Sequence, residues 1–466
     1  MTPTSIALNR FGLGYRQGDE LPRDPKAWLR GQIAAYNPWS GELAQEDYAA
    51  EQLTSLVSNV DEFRSRRRNI GKTGAADAGK QQVEMSREGR REVKTIYTAD
   101  VAVRTRVAVE SDTPFMERLV HFWSNHFAVS TGKKRITNLV GIYEFGAIRP
   151  NITGNFRDLL RAASLHPAML FYLDQFSSTG PASAAMTRSG AQQGGRGLNE
   201  NLGREILELH TLGVNGGYSQ ADVLELAKAL TGWTVQGIQQ AARAAPQHNG
   251  SAFFSAIHEP GTRTIAGRSY REDGAGQALA ILDDLALHPS TARHLATKLA
   301  RHFAGDVPPP AMVARLEQAY NDSGGDLPTV YRAIIDSPEA WAPEPVKVRQ
   351  PFEWVVGMLR AAGDQVVKDW WLARILSELG QETWAPTSPA GWDDRADSWM
   401  GPDALFRRVE AAEAIAEKTR LSDVRELADA MFPGALSSTT QASIDAAESN
   451  QMALALLMVS PEMLRR

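Results

Sequence analysis

The segment from Glu117 to Ser130, ERLVHFWSNHFAVS, sets two histidines and an amide among aromatic residues. On a helix turning about 100° per residue, Glu117, His121 and Asn125 share one stripe. Leu119, Phe122, Trp123 and Phe127 supply the apolar surface, which predicts a buried helix. Buried polar side chains need partners. His121, with Glu117 or Asn125, therefore reads either as the wall of a site or as a hydrogen-bonded part of the core. His126 lies about 140° around the helix from His121, so joint metal ligation requires the helix to end or bend near Asn125.

A second polar constellation lies in Leu198 to Gly217, LNENLGREILELHTLGVNGG. Asn201, Glu205 and Glu208 project within about 60° of one another at helical spacing. Arg204 borders them, and Leu202, Ile206 and Leu209 form the neighbouring apolar stripe. Two carboxylates so spaced suit a hard metal ion or an acid and base pair. The plainer alternative is a solvent-facing stripe with an Arg204–Glu208 pair. Together the segments predict an enzyme site between the 117–126 and 200–210 helices. Glu205 and Glu208 serve there as ligands or acid/base groups and His121 as ligand or proton shuttle, with Asn125 and Arg204 orienting them. A divalent metal, if held, falls to His121, His126, Glu205 and Glu208. The chain has no cysteine, so zinc ribbons, iron–sulfur clusters, disulfides and thiol nucleophiles are excluded.

Other chemistry-bearing patterns are weaker. There is no His-Glu-x-x-His, no Gly-x-Ser-x-Gly, no dinucleotide glycine fingerprint and no paired Glu-x-x-His set. The 211–222 loop offers only Asn215 where a calcium loop needs carboxylates early, so calcium is not expected there. His258-Glu259 falls in a predicted hairpin from which it could reach a site elsewhere. His294 and His302 share a helix with Lys298 and Arg301, a cationic face suited to an anion, or simply a surface stripe.

The elements that must position these residues read mostly as helices. Val223, Leu226, Ala227 and Leu230 recur at helical spacing, with Ser219 and Asp222 forming a start signal. His166-Pro167, His288-Pro289, Ser337-Pro338 and Ser460-Pro461 look like four capped helix starts. The glycine-rich stretch 177–197 reads as a mobile loop and a candidate lid. Short β-type runs near Ala252–Ile257 and Arg263–Ile265 predict a hairpin insertion. The fold expected is mainly α: a multi-helix globular body with a small β-hairpin insertion and a C-terminal helical extension. Its regions are 1–235 with the candidate site, 236–272 as the β insertion, 273–365 helical, and 366–466 with a Trp/Pro loop and closing helices. Trp384, Trp392 and Trp399 in that loop suggest either an interface or core.

The chain's 466 residues carry a net charge of −5, and near-average composition argues against global disorder. Between Arg64 and Lys94, ten Lys/Arg face four Asp/Glu, which predicts a solvated helical arm. Nucleic acid is not an expected partner, since no aromatic interleaving or known motif accompanies the charge. The longest apolar run, Met452 to Val459, is too short to cross a membrane. The first residues lack the long apolar stretch of a secretory signal, which predicts a cytoplasmic location.

IALNRFGLG at 6–14, RLVHFWSNHFAVS at 118–130 and FRDLLRAASLHPAMLFYLD at 156–174 resemble a large bacterial family, domain of unknown function 1800. So do RGLNENLGREILELHTLGVNGGYSQADVLELAKALTGW at 196–233 and LALHPSTARHLATKLARHF at 285–303. The resemblance covers nearly the whole chain and implies no activity. It does imply a partner, because the family is often encoded beside the sulfatase-like family called domain of unknown function 1501. A non-catalytic scaffold or chaperone for such an exported partner is the alternative to an enzyme, and co-export to the periplasm the alternative location.

Overall fold

The computed structural model describes residues 1–44, 75–189, 197–236, 245–246, 250–363, 368–419 and 423–466. The fold is mainly α-helical. Local start signals operate as the sequence predicts. The Ser219 hydroxyl accepts from the Asp222 amide while the Asp222 carboxylate accepts from the Ser219 amide, a reciprocal cap for Gln220–Leu230. His166 and His288 cap the following helices by accepting the amide two residues on through Nδ1. Ser460 does the same for the amide of Met463. Ser337 differs: its hydroxyl donates to the Ala333 carbonyl instead of capping.

The Pro114–His126 helix runs through the middle of the larger core, packing Phe115, Leu119, Trp123 and the adjoining Phe127 against Phe156 and Tyr331. Each such aromatic contributes roughly 2–3 kcal/mol by leaving water. The Trp123 indole N–H donates to the Tyr331 hydroxyl at 2.7 Å, and that hydroxyl donates to the Ile152 carbonyl at 2.8 Å. The polar tips are thereby satisfied without water. Pro289–Ala304 packs on Pro310–Asp322, which packs on Leu327–Asp336. A second core gathers Pro351–Ala362, Asp369–Glu378, Pro402–Ala416 and Asn450–Met458 around Trp354, with Leu13 and Ala108 reaching in from earlier in the chain.

Ala75–Glu110 is one 36-residue helix, so the basic arm is helical from Ala75 onward and lies outside the described residues before it. The β insertion is larger than one hairpin. Trp233–Val235 (β1), Ala245–Pro246 (β2) and Ser251–Phe253 (β3) form an antiparallel sheet ordered β1-β3-β2. Arg263–Ile265 (β4) pairs with Arg268–Tyr270 (β5). The glycine-rich 177–197 stretch forms a helix at Ala184–Ser189 that packs on 255–257, and 190–196 lie outside the described residues. None of its described residues lines the cavity below, so its described part is no lid.

Candidate active site

A cavity of about 690 Å³ opens between the 114–126 helix, the 289–304 helix, the start of the 351–362 helix and the loop 380–399. Each wall is fixed by a different device. Pro289 and the His288 cap start the 289–304 helix, and Gly305, at φ +145, ends it. This helix turns His294, Lys298, Arg301 and His302 toward the cavity at helical spacing. The stripe is therefore an inner wall, because the 380–399 loop folds over what would otherwise be solvent-facing surface.

Asn125 anchors that loop. Its amide nitrogen donates to the Trp392 carbonyl at 2.8 Å, and its oxygen accepts the Trp392 amide at 2.7 Å. Gly391, at φ +83, is required beside it, since a Cβ there would come 2.4 Å from the Asn125 carbonyl oxygen. The anchored loop delivers Asp394, whose Oδ2 lies 3.2 Å from His302 Nδ1 and whose Oδ1 lies 3.2 Å from Lys347 Nζ. Burial works to raise the Asp394 carboxyl, but His302, Lys347 and Arg466 outweigh it and hold it below the ordinary carboxylate range.

His302 is 7% exposed, and burial outweighs Asp394 to keep its ring below the ordinary histidine value, hence neutral at pH 7. Its Nδ1–H donates to Asp394, which leaves a lone pair on Nε2, and Nε2 has no protein partner. His121, on the 114–126 helix, stands with its edge on Phe352, ring centroids 4.5 Å apart, and both of its nitrogens lack partners among the described residues. Burial, and then Arg104, Arg149 and Arg118, push it well below the ordinary value.

The buried carboxylates of this region are closed by arginine. Glu353 accepts from Arg118 and Arg466, and the Arg466 guanidinium also donates to the His302 carbonyl at 2.9 Å. Glu144 accepts from Arg104 at 2.8 Å, from the Ser124 hydroxyl and from the Trp384 indole. Arg104 in turn lies over the Phe352 ring, 4.3 Å from its centroid. Lys298 and Arg301 are different: among the described residues neither has a carboxylate within ion-pair distance. Lys298 Nζ donates to His126 Nδ1 at 3.0 Å, and Arg301 Nε has no partner. Burial lowers Lys298 to about 8, with Arg301 adding to the effect and Asp394 opposing it.

A family model described as "Protein of unknown function (DUF1800)" matches residues 6–465. The chain belongs to the DUF1800 family. No curated protein and no solved structure gives a match. The five segments that carried the resemblance are spread over the DUF1800 fold, and four of them reach the cavity: 118–130 and 285–303 supply walls, while 6–14 and 196–233 add Leu13 and Leu209.

Of the residues singled out in the sequence, His121, Asn125 and His126 line this DUF1800 cavity, while Glu205, Glu208 and Arg204 do not. The helix beginning at Asn201 widens into a π turn over Ile206–His210, which breaks the regular spacing used to align Glu205 with Glu208. That turn buries Ile206, Leu207 and His210 and leaves the carboxylates half-buried on the other side of the segment. Arg204 bonds to Glu200 at 3.1 Å and to Gln220 at 2.9 Å, not to Glu208. Glu208 accepts from the Tyr218 hydroxyl at 3.4 Å. Burial, then Glu208, raises the Glu205 carboxyl.

The metal set His121, His126, Glu205 and Glu208 does not assemble, and no group of three or more His, Asp or Glu suited to a metal occurs among the described residues. His126 has no free lone pair, since Nε2–H donates to the His210 carbonyl at 3.2 Å and Nδ1 accepts from Lys298. Glu117 forms a two-pronged ion pair with Arg149, both contacts at 2.7 Å, deep in the core. His258 donates locally to the Thr231 carbonyl at 2.7 Å and reaches no second site. Trp384 and Trp399 are buried and Trp392 is half-buried, so the three tryptophans wall the cavity instead of presenting a docking surface. Sequence reading missed Asp394. The available signal was its place in an Asp pair beside Trp392, in a proline-bearing loop.

Proposed function

We propose that this DUF1800 protein is an enzyme that moves protons on a small substrate held in the cavity, with His302 as general base. One observation carries the reading. His302 belongs to the cavity lining, its neutral imidazole is oriented through Nδ1 by the half-buried Asp394 carboxylate, and its Nε2 is buried with no protein partner among the described residues. Asp394 fixes the tautomer and stabilises the imidazolium that forms when Nε2 takes a proton. The imidazolium of His302 returns the proton to the substrate in the second step, and His121, held neutral by burial and by Arg104, Arg149 and Arg118, is an uncharged part of the lining. The Asn125–Trp392 clamp is a positioning device that holds Asp394 in register with His302. Neither step uses Glu205 or Glu208.

Wash-in of solvent deuterium tests this. A panel of phosphorylated and unphosphorylated hydroxy and oxo acids is incubated with the protein in D2O and read by mass spectrometry. Exchange or turnover is expected with some member, falling about 10²–10⁴-fold in His302→Gln. The acid limb of the rate profile should lie below the ordinary histidine value, because burial keeps His302 unprotonated there. Exchange that is equal in wild type and His302→Gln, or absent across the panel, would remove the proposal.

A further inference from the structure

We infer that Lys298 and Arg301 form a subsite for a dianionic oxygen group, the phosphate of a phosphate monoester. This names the substrate class of the acid–base reading and rests on that reading for its use in turnover, though not for binding itself. The argument begins with charge. Taking an ion out of water costs several kcal/mol unless a counter-charge replaces the solvent. Around the cavity that replacement is made for Arg104 by Glu144, for Arg118 by Glu353, and for Lys347 by Asp306 and Asp394. For Lys298 and Arg301 it is not made.

The nearby carboxylates bond to other groups. Asp394 is committed to His302 and Lys347, and exposed Asp393 accepts from the Ser398 hydroxyl at 2.6 Å and the Arg395 amide at 3.2 Å. Among the described residues, the hydrogen-bond partner of Lys298 Nζ is the neutral acceptor His126. His210 and His294, also near Lys298, are held neutral by burial, to about 3 and about 4. The wall therefore holds two cationic groups with no carboxylate within ion-pair distance among the described residues, Asp394 acting on Lys298 only from farther off.

Two charges match a dianion. A carboxylate, or the single charge of a sulfate ester, would leave one cation uncompensated, whereas a phosphate monoester is largely dianionic above its second pKa of about 6. Lys298 and Arg301 stand about one turn apart on the same helix face and both line the cavity, a spacing that lets one bound group reach both. A tetrahedral group accepts two separate donors better than a planar carboxylate, which prefers one bidentate fork. His302 is the next residue along, so the anchored phosphate would hold the rest of the substrate against the general base.

Calorimetry of the full chain with inorganic phosphate tests the subsite. Wild type is expected to bind, with Lys298→Met and Arg301→Met each weakening affinity at least about tenfold and His302→Gln changing it less than about threefold. Free sulfate, also a dianion, should compete, and acetate should not. Near pH 8 Lys298 is half-protonated when empty, so phosphate should draw in a proton. That uptake appears as a difference in heat between buffers of unlike ionisation enthalpy, and Lys298→Arg should abolish it while keeping affinity.

Acetate binding as well as phosphate would overturn the dianion assignment. No phosphate binding, or binding equal in all variants, would overturn the subsite. Phosphate bound through Lys298 without any His302-dependent turnover would sustain the subsite and sink the acid–base reading. His302-dependent turnover without phosphate binding would do the reverse.

Discussion

Glu117, Glu144 and Glu353 each lie buried against arginine, and their charges are closed by two or more donors. On the 289–304 helix, Lys298 and Arg301 lack any such partner among the described residues, and His302 keeps one nitrogen open. One region spends its polar groups on holding elements together. The other leaves them unsatisfied in residues that line a cavity. The difference separates structural charge from candidate functional charge by a physical test, namely whether removing a group strands its partner.

The sharpest way to break the comparison is Glu117→Gln. It leaves Arg149 buried without its counter-charge and should cost about 3–5 kcal/mol, read from denaturant melts. Lys298→Met should act in the opposite direction, raising stability by up to about 1 kcal/mol, because it deletes a half-buried cation that has no carboxylate within ion-pair distance among the described residues. If both variants destabilise alike, the two regions are not different in kind. The smallest global effect is expected for Asn125→Ala, whose two hydrogen bonds to Trp392 tie down a loop that opens locally, so the global loss should stay below about 0.5 kcal/mol. It should speed hydrogen exchange at the Trp392 amide while leaving the global midpoint nearly unchanged. Unchanged exchange there would remove Asn125 from its positioning role.

Features set within one helical turn were legible from residue types alone. Ser219 with Asp222, and His166 and His288 before proline, do in the structure what their side chains permit. The mainly helical fold followed from the same periodicity, and the burial of Trp123 and Phe127 from aromatic density. Glu205 and Glu208 misled because a π turn at Ile206 is invisible to a 3.6-residue period. Asp394 meets His302 across 92 residues of chain, a distance over which no spacing rule operates. That Lys298 lacks a carboxylate is a property of everything packed around it, and no local pattern encodes it.

Seven of the nine histidines (His121, His126, His166, His210, His258, His294 and His302) are held below their ordinary value, burial being the first cause in each. Below about pH 6.5 the unfolded chain therefore takes up protons that the folded chain refuses, and stability falls with pH. His166 and His210 at about 3 and His294 at about 4 alone give a slope of about 4 kcal/mol per pH unit once the unfolded chain has protonated. A folded chain holding about 5–15 kcal/mol would exhaust that margin within a few pH units. The histidine-lined interior thus makes the protein a steep, many-proton acid fuse, intact near neutrality and lost over a narrow span of acidity.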